Sequence, residues 1–414
     1  MKKFYNNLLN KYQVTSKDIL VTYFIFFLYY TSFLPIRKFL FITIFIVSAF
    51  WFFKKRNFLS KSILRYLSLV IFLWVFQSLF FGSWVVINFA RGLIGILIPY
   101  FGVKLLGKKF IRAFIVVMFL ITIVSFFFYL PSYISNSFHK SIGKIAPTLH
   151  TDIHLAKSRG GQNFLLFTWE PKGDNGLIRN SGNFTEPGYF ACYLSLALVL
   201  NIMYLRKIKS ITNLLFILGL ISTFSTAAYI TLFFILIFFL TQQKNKLIPI
   251  LLLPILLGVG FYSFTKLEFL EKKLTIQIES QARMSKTVGR FGATLRNLEE
   301  IKENPLFGKG IVKQSRFDTT INYVDGYQRW QNLNSHSNLL VLYGIPGFLF
   351  FTFWLFQGFA NFIYINELEK KYWLLLVGVF YLVLAAQPII STPVFISFLF
   401  WEKKHENINY HTKL

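Results

Sequence analysis

Apolar runs of about 15–20 residues recur from one end of the chain to the other, separated by short basic clusters. This pattern marks a polytopic helical membrane protein. The runs place candidate spans at 19–34, 39–53, 63–80, 85–106, 113–130, 186–205, 211–224, 225–241, 247–264, 336–364, 372–386 and 389–401. The stretches 211–241 and 372–401 are long for one helix and brief for two. Each has basic residues on both flanks, so both of its ends are expected on the cytoplasmic side. Each therefore splits into a pair, with breaks at "STFST" (222–226) and "QPIISTP" (387–393); two long tilted hairpins are compatible with this, and so are re-entrant loops buried in protein. The fold class is all-α: a polytopic integral membrane protein of about 12 transmembrane helices with two large extracytoplasmic loops.

The polar segments fix the orientation. The short segments assigned to the cytoplasm hold 23 Lys/Arg against five Asp/Glu, whereas the two long loops hold 18 basic and 11 acidic residues. A bias of that kind in short loops puts both termini in the cytoplasm. The chain then divides into an N-terminal bundle of about five helices (1–130), a first large outer loop (131–185) and central transmembrane helices (186–264). A second large, partly helical outer loop (265–335) and C-terminal helices with a cytoplasmic tail (336–414) follow. In the second loop, "KTVGRFGATLRNLEEIKENPLFGKG" predicts a helix of about a dozen residues that stops at Asn304-Pro305.

Composition sharpens this picture. Hydrophobic residues make up 55% of the chain and charged residues 15%, against about a quarter charged in soluble domains. The net charge of +27 lies in clusters between apolar runs, which argues for topology and against nucleic acid as a partner. The first apolar stretch has no small-residue cleavage site after it and reads as a retained helix. The single cysteine, Cys192, excludes an intrachain disulfide. No Walker, dinucleotide-binding or HExxH motif is present, so ATP-driven transport lacks support.

A few ionisable residues sit where they are expensive. Arg179 and Glu186 flank the entry to an apolar helix in "RNSGNFTEPGYF". A guanidinium there suits a phosphate or pyrophosphate, or else anchors the chain at the headgroups. Glu186-Pro187 is a helix-start pattern, and its carboxylate could also orient Arg179 or accept a proton from a sugar hydroxyl. Arg290 and Arg296 fall on different faces of the second-loop helix, so only one is expected to face a site. His336 opens the tenth span among Asn334, Ser335, Ser337 and Asn338, either as a general base or beside a helix cap. Arg91 lies inside the fourth span, an intramembrane cation. His150 and His154 flank Asp152 at a spacing that could ligate metal on a helix, but their Gly/Pro-flanked segment is not expected to form one. No metal and no cofactor are assigned.

Three stretches taken together, "RNSGNFTEPGYFACYL", "GRFGATLRNLEEIKENPLFGKG" and "SHSNLLVLYGIPGFLFF", resemble the O-antigen polymerase and O-antigen ligase superfamily, as does the Ser-rich turn in "STFSTAAYI". The resemblance implies a metal-independent, inverting glycosyltransferase of the bacterial inner membrane whose large loops are periplasmic. Its donor would be a glycan on undecaprenyl pyrophosphate. The acceptor would be another lipid-linked repeat unit in a polymerase and lipid A-core in a ligase. It further implies that Arg179 and Arg290 grip the pyrophosphate and that His336 is the base; from their own positions, Arg91 joins the pyrophosphate-binding candidates and Glu186 the catalytic ones. Membrane lipid, a chain-length regulator and a flippase in the same membrane are the implied partners. His336 precedes Gly344 by a shorter spacing than the ligase pattern, and Thr294 stands where an aromatic often follows. The first departure favours polymerase over ligase. A flippase is the alternative from another class; it would place charges deep within several helices, which this chain largely lacks.

Overall fold

The computed structural model describes residues 2–28, 37–81, 86–149, 162–163, 167–172, 177–242, 290–310 and 335–402. The expected span at 247–264, the His150, Asp152 and His154 group, and the tail beyond 402 lie outside the described residues, as do the side chains of Arg290 and Arg296.

The described chain is a bundle of helices: α1 (Lys2–Tyr12), α2 (Ser16–Phe26), α3 (Arg37–Lys54), α4 (Lys61–Phe80), α5 (Val86–Leu106), α6 (Lys109–Ile134), α7 (Asn136–Leu149), α8 (Pro187–Leu205), α9 (Ile211–Ser222), α10 (Thr226–Thr241), α11 (Arg290–Glu303), α12 (Ser335–Ile365), α13 (Tyr372–Ala386) and the short α14 (Pro393–Ile396), which continues as a 3-10 turn at Ser397–Phe400. Five of them (α4, α5, α6, α8 and α12) are long and apolar enough to cross a membrane, and α3 (over Phe39–Lys54), α9, α10 and α13 are shorter apolar helices. The centre is α8, whose sequence has no polar face. A helix apolar all round belongs inside, and α8 is buried from Phe190 to Met203 against α6, α9, α10 and α13. The outer helices turn large apolar side chains outward: Phe39, Ile42, Ile46, Phe50 and Phe53 on α3, and Leu69, Phe72 and Leu79 on α4. A surface of that kind is stable only against lipid.

The hairpin expected at 211–241 forms as α9 and α10, with its break at the expected turn. The helix expected before Asn304-Pro305 ends at Glu303. The described residues are overwhelmingly helical, as expected of the all-α class; within the first loop, which begins in helix α7, a short antiparallel pair joins β1 (Gln162–Asn163) to β2 (Thr168–Trp169). Two expectations need correction. The last span, 389–401, is not a continuous helix. Pro393 falls inside it and Pro388 just before it, and a proline removes a backbone donor and clashes with the preceding turn. Irregular backbone at this depth must be enclosed by protein; Ile389, Val394, Phe395 and Phe398–Trp401 are all buried. The orphaned groups are met by the first residue of α12: Ser335 Oγ donates to Gln387 O at 2.7 Å and accepts from the backbone N–H of Ile389 and Ile390 at 2.9 and 3.1 Å.

The second correction concerns the span 336–364, which is not one straight helix. α12 bends at Gly344 (φ 70°, ψ 179°), just before Pro346. The ring of Tyr381 on α13 lies 4.7 Å from His336 and 5.8 Å from Phe356. In a straight helix those two residues would stand about 30 Å apart. The bend folds the first turns of α12 back over α13.

Candidate functional site

The bend frees carbonyls that a straight helix would use, and the segment after α11 takes them up. The backbone N–H of Lys309 donates to Val341 O (2.7 Å), that of Gly310 to Leu342 O (3.2 Å), and that of Ile345 to Pro305 O (2.8 Å). From α4, Gln77 Nε2 donates to both Phe307 O and Leu342 O, at 2.5 and 2.8 Å. Gly308 and Gly344 have φ of +65° and +70°, and a Cβ on either would run into the other strand's backbone. "NPLFGKG" and "YGIPG" are therefore two halves of one backbone clasp. The clasp holds α11 against the bent end of α12, where Asn297 Nδ2 donates to Ser337 Oγ at 2.7 Å. Arg290 opens α11 two turns before the buried Asn297.

Residues 177–186 form the second part. Asn180 stitches this segment to two helices: its Nδ2 donates to Ser125 Oγ on α6 (3.1 Å) and Ser222 Oγ on α9 (3.0 Å), and its N–H donates to Ser222 O (3.0 Å). The Tyr129 hydroxyl on α6 donates to Ile178 O at 3.4 Å. On the other side, Thr168 of β2 donates from its N–H to Gly182 O (2.6 Å) and from its hydroxyl to Phe184 O (2.5 Å). Arg179 is half-buried between these anchors, and its Nε donates to Thr223 O, in the turn between α9 and α10, at 3.1 Å.

That stitching brings up Glu170, which follows β2. Ser181 Oγ donates to Glu170 Oε1 at 2.7 Å. Burial pushes the Glu170 carboxyl up to about 7; the Ser181 hydroxyl and the Arg179 charge oppose this, and the Glu186 carboxylate adds to it. Desolvation disfavours the charged form, so this group can gain or lose a proton near neutral pH. Glu186 is the N-cap of α8 with Pro187 at N1, as expected; its side chain is exposed, does not cap the helix, and makes no ion pair with Arg179.

Both parts lie at one end of the bundle. Cys192 Sγ, two turns into α8, lies 3.8 Å from Val383 O, near the end of α13. The start of α8, the α9–α10 turn, the end of α13 and the bent start of α12 are thus level. His336 is half-buried there, with Nε2 3.0 Å from Tyr381 O. A carbonyl only accepts, so Nε2 carries the proton and Nδ1 is the basic nitrogen. Arg91 stands apart: it is exposed on α5, which packs on α2 and α3, and it makes no hydrogen bond or ion pair among the described residues.

Sequence reasoning missed Glu170 and Gln77. Gln77 had a signal, a lone amide in the apolar run of α4. Glu170 had none, being one of three acids in the first loop; only the β2 contacts bring it to Ser181. The groups assembled here can hold an anion beside a proton acceptor at the mouth of an apolar bundle. No curated protein and no solved structure matches the chain significantly. Residues 211–352, which take in α9, α10, α11 and the bend of α12, match the family model Wzy_C, described as O-Antigen ligase. This match supports placing the chain in the O-antigen ligase and polymerase superfamily.

Proposed function

We propose that this protein polymerises lipid-linked oligosaccharide repeat units, O-antigen or a related surface polysaccharide, at the periplasmic face of the bacterial inner membrane. It transfers the glycan from undecaprenyl pyrophosphate to the sugar end of another lipid-linked unit, by inversion and without a metal. The observation that carries the reading is the fixed Arg179, held on the Thr223 carbonyl at the helix ends of an apolar bundle, inside a chain with the superfamily match. Preorganised cations aimed at a departing group are the largest catalytic term in such reactions. Arg179 and Arg290 grip the pyrophosphate. Arg91, exposed on α5, takes the outlying role of drawing the lipid headgroup. His336, through Nδ1, and Glu186, exposed at the start of α8, are the sequence-derived candidates for the acceptor hydroxyl's proton. A chain-length regulator and a flippase work in the same membrane, and both termini are cytoplasmic.

The matched family, O-Antigen ligase, favours a second reading, transfer of the glycan to lipid A-core. Deletion in a host of known surface polysaccharide separates the two. A single repeat left on the core supports the polymerase. Accumulated unattached polymer supports the ligase. Loss of every surface repeat would overturn both in favour of a flippase.

A further inference from the structure

Glu170 has no assigned role, yet it is the carboxylate that the fold fixes beside Arg179. Three features single it out. Its Oε1 is held by the Ser181 hydroxyl at 2.7 Å, and Ser181 is two residues from Arg179 on the same stitched segment. Thr168, two residues before it, is tied to both Gly182 and Phe184, so neither strand can slide without the other. Its Oε2 makes no hydrogen bond among the described residues. Glu186, by contrast, is exposed and its side chain does not cap α8, and His336 is stacked on Tyr381 and tied to that residue's carbonyl.

Resting on the glycosyl-transfer reading above, we propose that Glu170 is the catalytic residue that accepts the proton of the acceptor hydroxyl, through Oε2. The hydroxyl oxygen bonds to the donor's anomeric carbon. The bond from that carbon to the pyrophosphate oxygen breaks, and its electron pair leaves with undecaprenyl pyrophosphate beside Arg179. The hydroxyl proton passes to Glu170 and then to solvent. Ser181 orients the carboxylate so that Oε1 is occupied and Oε2 is the reacting oxygen.

The charged and titratable neighbours are Lys172 on the same segment, Arg179 and Glu186 on the facing one, Tyr229 on α10 facing Arg179, and His139 on α7 beside Lys172. With the carboxyl set near 7, a base must be ionised to work, so turnover should climb with pH through neutrality. The Ser181 bond lowers that value, so removing it should move the climb to higher pH.

The test uses the full chain in lipid nanodiscs, with lipid-linked repeat unit extracted from the host deleted for this protein, and undecaprenyl pyrophosphate as the binding probe. Glu170→Gln keeps an acceptor for Ser181. It should lower turnover by about a hundredfold or more, flatten the climb near neutral pH, and leave undecaprenyl pyrophosphate binding within about threefold of wild type. Ser181→Ala should fold and shift the climb upward, which keeps the idea falsifiable should Glu170→Gln fail to accumulate. Turnover of Glu170→Gln near the wild-type rate with the same climb, or an unmoved climb in Ser181→Ala, would sink the assignment while leaving polymerisation standing. Wild-type protein inert toward the lipid-linked unit would overturn the polymerase reading itself, and this inference with it.

Discussion

The two ends of the bundle treat charge in opposite ways. At the end formed by the close of α5, the start of α6 and the close of α12, cations meet anions: Lys104 pairs with Glu402 at 2.8 Å, Lys108 with Glu367 at 2.7 Å, and Lys109 with Asp18 at 3.0 Å. Asp18 also closes a capping box with Thr15 at the start of α2. Beneath them, Tyr12, Asn201, Thr212 and Asn213 form a closed network, with Tyr12 donating to Asn201 at 2.7 Å and Asn201 to Asn213 at 2.6 Å. At the other end, Arg179 is held by a backbone carbonyl and Glu170 by a hydroxyl. Hydrogen bonds to neutral groups position both side chains, and the Arg179 charge acts on the Glu170 carboxyl beside it. The first arrangement ties helix ends together, and the second sets a cation next to a titratable acid.

Substitutions test that contrast in order of expected size. Arg179→Ala should abolish long-chain product, by at least about a hundredfold in rate, while the protein still inserts; a normal polymer ladder on a gel would end the pyrophosphate assignment. Gly344→Ala should come next, because it adds a Cβ at φ 70° against the Leu306 backbone. A non-glycine residue at this backbone conformation alone costs about 1–3 kcal/mol, and the clash adds to it, so the yield of folded protein by size-exclusion chromatography should drop sharply. Gln77→Leu removes two hydrogen bonds to the clasp and should cost about 1–3 kcal/mol in thermal unfolding, with a matching fall in activity because α11 is loosened. Lys104→Met at the closed end breaks a partly exposed pair and should change stability by about 1 kcal/mol or less, with product length unchanged. If Lys104→Met were to cost as much polymer as Arg179→Ala, the distinction between the two ends would collapse.

The sequence reading located Arg179 and Glu186 at the start of α8 because the polar-to-apolar border is local and steep there. It located the α9–α10 break for the same reason: Ser and Thr interrupt an apolar run with basic residues on both flanks. It took 336–364 as a single span because hydropathy stays high through Gly344. Averaging over a window hides a bend made by one glycine and one proline. The polar cluster around His336 suggested capping of its own helix, yet Ser335 serves the broken segment at 387–390 instead.

What the sequence alone determined is the class of solvent and the helical register. Apolar length sets a span, and Gly, Pro and Ser/Thr positions set where helices stop, because these depend on neighbours within a turn or two. Only tertiary structure decided which polar groups meet. Glu170 reaches Ser181 through a strand contact, Gln77 reaches Leu342 across the bundle, and the two glycine motifs close on each other. Such meetings join residues far apart in the chain, and they form because a bundle surrounded by lipid must satisfy each freed backbone group from the segments that pack beside it.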